Sequence, residues 1–132
     1  MMDRSVLIVE DDPATCVLWT KHLQHAGWQV QIVEDAEQAE AILRQQLPSV
    51  VILDVMLASQ TSGWDLLAKL RSAPATQHLP VFVVSTLDEP HRAREAGATG
   101  YLVKPCSPAL LVSRINQAVG AEAYTPDLDN GK

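Results

Sequence analysis

The sequence predicts an α/β fold in which a parallel sheet of five strands is covered by helices on both faces. Three observations lead there. Apolar runs of strand length alternate with helical patterns five times along the chain. The runs Val6-Leu7-Ile8-Val9, Val50-Val51-Ile52-Leu53 and Val81-Phe82-Val83-Val84 are apolar throughout and read as buried strands. Each run then ends in residues that cannot sit in a core: Glu10-Asp11-Asp12, Asp54 and Ser85-Thr86, with Lys104-Pro105 after the shorter run Tyr101-Leu102-Val103. Such residues emerge at the C-terminal edge of the strands, where open α/β sheets carry their sites.

The elements follow in order. The first strand covers residues 5–10. Asp12-Pro13 is an N-cap followed by proline at the first helical position, and the helix runs to Gly27. Leu18, Trp19, His22, Leu23 and Ala26 share one face of it at helical spacing. The second strand, residues 29–33, alternates Val30 and Ile32 against Gln29 and Gln31, as an edge strand does. Asp35 caps the second helix with Gln38 as its capping-box partner, its buried stripe is Ala39, Ile42, Leu43 and Leu47, and Pro48 ends it. The third strand leads into a loop over 55–62, and Gly63 opens a helix that ends at Ser72. A polar connector over 74–80 precedes the fourth strand. Residues 90–96 form a weak fourth helix rich in charge and alanine, and Gly97 and Gly100 bracket the turn into the fifth strand. Ser107-Pro108 starts the last helix, with Leu111, Ile115 and Val119 as its stripe. The domain is expected over 4–119, and the polar composition from Gly120 reads as a flexible tail or the start of a linker over 120–132.

At 132 residues the chain holds one domain with a real core and is too short for two. No apolar run is long enough to span a bilayer. The first apolar run is too short for a signal peptide and ends in three acids, so the expected location is the cytoplasm. Cys16 and Cys106 make no spacing motif and are expected to be reduced. A net charge of −6 argues against direct binding of nucleic acid.

If the strands are parallel, three acids, a hydroxyl and an ammonium converge on one edge. A carboxylate can act as nucleophile toward phosphorus and form an acyl phosphate. Attack by one anion on another needs charge cancellation, which Mg²⁺ supplies when held by carboxylates, a backbone carbonyl and waters. Lys104 adds a second positive point and Ser85 a hydrogen-bond donor.

Glu10-Asp11-Asp12-Pro13, Asp54, Ser85-Thr86 and Lys104-Pro105, in this order at these strand ends, resemble the receiver domain of two-component response regulators. The resemblance covers residues 4–119. It implies the flavodoxin-like strand order 2-1-3-4-5, Asp54 as phospho-acceptor, Asp11 and Asp54 as Mg²⁺ ligands with the Met56 carbonyl, and Glu10 acting on the metal through water. It further implies Ser85 and Tyr101 as switch residues, Lys104 as the site cation and a cis Lys104-Pro105 bond. The implied partner is a histidine kinase or a histidine phosphotransfer domain, with an unknown protein target downstream, and the chain is expected to be a stand-alone regulator or a piece of a longer protein. The positions that flank the hydrolytic water in this family fall on Met56 and Leu87, both apolar. The chain departs from the pattern at Ala58, where the family carries proline, and at Gly63, one position late, so the loop after Asp54 holds an extra residue. The segment from Ser85 to Lys104 is about a turn short, and the fourth helix is expected to be stunted or displaced.

Two rivals remain at this stage. A flavin- or nucleotide-binding module on the same architecture needs glycines and bare N–H groups where this chain has acids. A phosphorylation-independent interaction module is disfavoured by the intact acid–hydroxyl–lysine set. Blander readings cover the rest: Asp12 is a helix cap rather than a ligand, His22 packs at the core margin and makes no metal site with His25, His91 is a solvated loop residue, Cys106 is a small packing residue, and Trp28 and Trp64 half-bury against the sheet.

Overall fold

The computed structural model describes residues 4–57 and 61–119. Its elements alternate as β1 (Ser5–Val9), α1 (Pro13–His25), β2 (Gln29–Val33), α2 (Ala36–Gln45), β3 (Val50–Asp54), α3 (Gly63–Ser72), β4 (Val81–Ser85), α4 (Pro90–Glu95), β5 (Gly100–Val103) and α5 (Pro108–Ala118). The five strands form one sheet in the order β2-β1-β3-β4-β5, and every neighbouring pair is parallel. This is the doubly wound order that the resemblance implied. Each strand-to-strand crossover carries a helix, as parallel strands require.

Strand alternation divides the core between the two faces. Leu7, Val9, Val51, Leu53, Val81 and Val83 pack against Ala39 and Leu43 of α2 and Leu66, Leu67 and Leu70 of α3. Val6, Ile8, Val50, Ile52, Phe82 and Val84 pack against Trp19 and Leu23 of α1 and Leu111 and Ile115 of α5. Every residue of β3 and β4 is buried, as central parallel strands must be.

Local chemistry sets the helix ends. Asp12, Asp35, Ser62 and Ser107 each accept a backbone N–H from the first turn of α1, α2, α3 and α5. The Gln38 side chain accepts from the Glu34 amide at 2.9 Å, one position before the cap. α1 ends through Gly27, whose φ of +95° suits glycine alone. Two glycines allow close approach: a Cβ on Gly63 would lie 2.4 Å from the Val55 Cα, and one on Gly100 would lie 2.4 Å from the Phe82 ring.

The structure departs from the sequence reading in small ways. α1 buries Cys16, Trp19 and Leu23, while Leu18 and His22 are exposed, so the buried face is turned from the one expected. Ile32 and Leu47 are exposed, because β2 is the edge strand of the sheet and Leu47 follows the end of α2. Trp28 is fully buried and its indole N–H donates to Asn116, whereas Trp64 is half-buried. His91 lies within α4 rather than in a loop, and it is exposed. α4 is only six residues long and has no side-chain cap, in line with its weak pattern. Ala58 and the tail over 120–132 fall outside the described residues. No helix among the described residues is long and apolar enough to cross a membrane.

Candidate functional site

Because all five strands are parallel, their C-terminal ends lie along one edge. β1 delivers Glu10 and Asp11 there, β3 delivers Asp54, β4 delivers Ser85 and β5 delivers Lys104. The structure therefore brings together the residues that the sequence singled out from positions far apart in the chain.

Lys104 sits at the centre. Its ammonium donates to Glu10 Oε1 at 2.6 Å and to Asp54 Oδ2 at 3.1 Å. The Lys104 side chain is 17% exposed, and both carboxylates are buried. The other Asp54 oxygen, Oδ1, accepts the Met56 amide at 2.8 Å. The other Glu10 oxygen, Oε2, accepts the Asp12 amide at 3.1 Å. Carboxylate oxygens of Glu10, Asp11 and Asp54 lie within 4.8 Å of one another.

This crowding shapes the charges. Burial pushes the Glu10 carboxyl up from its ordinary range, and the negative charge of Asp54 adds to that, against the hydrogen bond from Lys104. Burial works against the Lys104 charge, but its hydrogen bonds to Glu10 and Asp54 outweigh burial, and its pKa rises. Beside the site, the Thr15 hydrogen bonds hold the Asp12 carboxyl below its ordinary value, as they do for a working helix cap. A cluster of carboxylate oxygens with no nitrogen or sulfur ligand suits a hard divalent cation such as Mg²⁺. Glu10 and Asp54 are buried, and Asp11 is the exposed member of the cluster.

The hydroxyl side of the edge is organised by backbone. Ser85 is fully buried, and its Oγ accepts the Leu87 amide at 3.1 Å. Tyr101 is half-buried against the α2–α3 side of the core. Its hydroxyl donates to the Leu87 carbonyl and accepts the Glu89 amide at 2.8 Å. Tyr101 is therefore fastened to the β4–α4 loop. Beyond it, the Arg92 guanidinium of α4 lies 4.5 Å from the Trp64 ring centroid of α3. The Lys104-Pro105 bond is cis.

Two contributors escaped the sequence reading. The Glu37 carboxylate of α2 accepts from Thr61, which holds its pKa down and ties α2 to the loop before α3. Trp19 of α1 stands under the Lys104 ammonium. Neither has a motif. The one signal for Trp19 was its place on a helix that packs against the β5 side of the sheet.

Comparison with known proteins gives the same assignment. Residues 6–116 match the family model of the response regulator receiver domain. The chain is 35% identical over 113 residues to the phosphate regulon transcriptional regulatory protein PhoB of Rhizobium meliloti (strain 1021), covering 83% of this chain and 49% of that protein. It is 36% identical over 130 residues to the probable transcriptional regulatory protein TcrX of Mycobacterium tuberculosis H37Rv, covering 96% of this chain and 54% of that protein. The chain thus spans about half the length of these two relatives. A crystal structure of a putative response regulator from Chloroflexus aurantiacus J-10-fl superposes with a TM-score of 0.84 at 30% identity, over 89% of this chain and 98% of that one. Sequence, strand order and site edge converge on one answer: the chain belongs to the response regulator receiver domain family of two-component signalling proteins.

Proposed function

We propose that Asp54 takes a phosphoryl group from a phosphohistidine on a histidine kinase or histidine phosphotransfer domain. The observation that carries this is the Lys104 ammonium bridging Glu10 and Asp54 beside Asp11. An oxygen of the Asp54 carboxylate attacks phosphorus, the P–N bond breaks, and its electron pair stays on the imidazole nitrogen. Mg²⁺, held by Asp11, Asp54 and the Met56 carbonyl with Glu10 acting through water, would supply the charge neutralisation that brings the two anions together.

Lys104 then offers its donor to a phosphoryl oxygen, and the Ser85 hydroxyl turns from the Leu87 amide toward the same group. That rearrangement releases the β4–α4 loop and shifts the population of the surface around α4 and Tyr101. The domain hydrolyses its own acyl phosphate and acts on no second substrate, so it is a self-limited switch rather than an enzyme. It works in the cytoplasm with an unnamed protein target. The complete acid–hydroxyl–lysine set supports this reading over a phosphorylation-independent interaction module.

The test is treatment with acetyl phosphate and Mg²⁺ followed by intact-mass analysis. One phosphoryl group per chain is expected, acid-stable and base-labile, with none on a folded Asp54→Asn protein. Equal uptake by that variant would overturn the assignment.

A further inference from the structure

The Lys104 ammonium has a third neighbour besides its two carboxylates. Its Nζ lies 5.6 Å from the centroid of the Trp19 ring. That ring is 3% exposed and packs in the core between α1, α5 and the sheet with Leu23, Leu102 and Leu111. A cation within about 6 Å of an aromatic face is attracted by the ring quadrupole, and tryptophan offers the strongest face. Lys104 and Trp19 also line one cleft of about 310 Å³ with Thr86 and Cys106. An ammonium has three N–H donors, of which Glu10 and Asp54 take two. The indole face gives the cation a further attractive neighbour.

We propose that Trp19 is a positioning residue for phosphoryl transfer, holding the Lys104 ammonium within the site while its carboxylate partners change. This rests on the Asp54 reading above. During transfer Asp54 delivers its charge to the incoming phosphoryl group, and Lys104 must move from the carboxylate to a phosphoryl oxygen. One of its two anionic anchors weakens at that moment. The remaining one, Glu10 at 2.6 Å, draws the ammonium toward β1. An indole ring neither titrates nor binds the metal, so its attraction is the same before and after transfer. It also restricts a long side chain whose rotamer freedom is otherwise large. In this proposal the effect of Trp19 reaches the reaction through Lys104.

The role predicts a split that packing alone does not. Weakening the ring's negative face slows phosphoryl uptake and leaves the apparent Mg²⁺ affinity unchanged, because the acids hold the metal. In a Trp28→Phe, Trp64→Phe background Trp19 is the sole tryptophan, and growth on tryptophans carrying successively more ring fluorines weakens its face with little change of volume. Uptake from acetyl phosphate at saturating Mg²⁺ is expected to fall stepwise, roughly three- to tenfold across the series, with the melting temperature and Mg²⁺ midpoint held. In the same background, Lys104→Met is expected to change the Trp19 emission intensity, because the cation leaves the ring. Uptake that is flat across the series overturns the proposal, as does emission indifferent to Lys104→Met. Absence of any uptake by the unsubstituted protein defeats the reading of Asp54 as phospho-acceptor and the positioning role together, and the emission result then shows separately whether ring and ammonium meet.

Discussion

The backbone amide of Lys104 donates to the carbonyl of Ser85 at 2.7 Å. This bond closes the ladder between β4 and β5 one position beyond the Ser85–Val103 pair. The cation and the hydroxyl of the site therefore hang from one backbone junction. From the same serine, Oγ holds the Leu87 amide, and Tyr101 grips the next turn of chain at Leu87 and Glu89. Three consecutive hydrogen bonds thus link the Ser85 hydroxyl to Glu89, the residue before α4.

Tyr101→Phe removes the hydroxyl that holds the β4–α4 loop. Each lost bond is worth about 1 kcal/mol, so the Glu89 amide is expected to exchange roughly fivefold faster, with α4 following. Hydrogen exchange resolved to residues 86–96 checks this. Unchanged protection there would mean that the tyrosine does not restrain the loop.

Asp11→Ala should abolish most of the thermal stabilisation that Mg²⁺ gives. A metal that binds only the folded state raises stability by mass action, and Asp11 is the exposed member of the acid cluster. Melting curves with and without Mg²⁺ for both proteins give the answer. A variant that keeps the unsubstituted shift would assign the metal to other ligands.

The acyl phosphate is expected to be long-lived. Met56 and Leu87 are 53% and 39% exposed, and neither side chain can orient a water molecule by hydrogen bonding. Met56→Asn combined with Leu87→Glu should shorten the lifetime, followed by decay of the phosphorylated mass after the donor is removed. An equal or longer lifetime counts against this account.

Gly63→Ala is expected to destabilise the protein by roughly 1–3 kcal/mol, the usual cost of overpacking. The added carbon would stand 2.8 Å from the Asp54 carbonyl oxygen, so the backbone bearing the acceptor must move. Urea titration reads the stability, and a loss of phosphoryl uptake larger than the loss of folded protein reads the displacement.

Cys16 gives an alkaline signature. Burial raises its thiol from 9.0 to about 11, and the charges of Glu10 and Asp12 push the same way. A raised folded pKa means that the unfolded chain loses its proton first, so this contribution is complete below about pH 9 and is lost as pH climbs toward about 11. The urea midpoint of the native chain should fall relative to that of Cys16→Ala across that window. At pH 8 the native Cys16 should resist iodoacetamide. Parallel pH profiles or rapid alkylation at pH 8 would contradict it.

The sheet was legible because its strands are short apolar runs cut off sharply by polar residues. The same cut-offs marked the site edge, and resemblance supplied the strand order. Helix α1 was harder. Val17 and Leu18 are apolar yet exposed, so several faces competed at helical spacing, and a small cysteine marked the buried one. Tyr101 was placed on the correct strand, but its grip on the Leu87 and Glu89 backbone depends on the path of a loop, which no periodicity encodes. Trp19 was legible as core and illegible as a partner of Lys104, since their meeting requires α1 and the end of β5 to lie on the same face of the finished sheet.

Lys104 and Glu10 are 94 positions apart in the chain, and Lys104 and Asp54 are 50 apart. Closing such long loops costs chain entropy. Without β5 beside β4, Glu10, Asp11 and Asp54 would lie together without their cation. The full charge set of the edge is therefore complete only when the last strand of the sheet has taken its place beside β4.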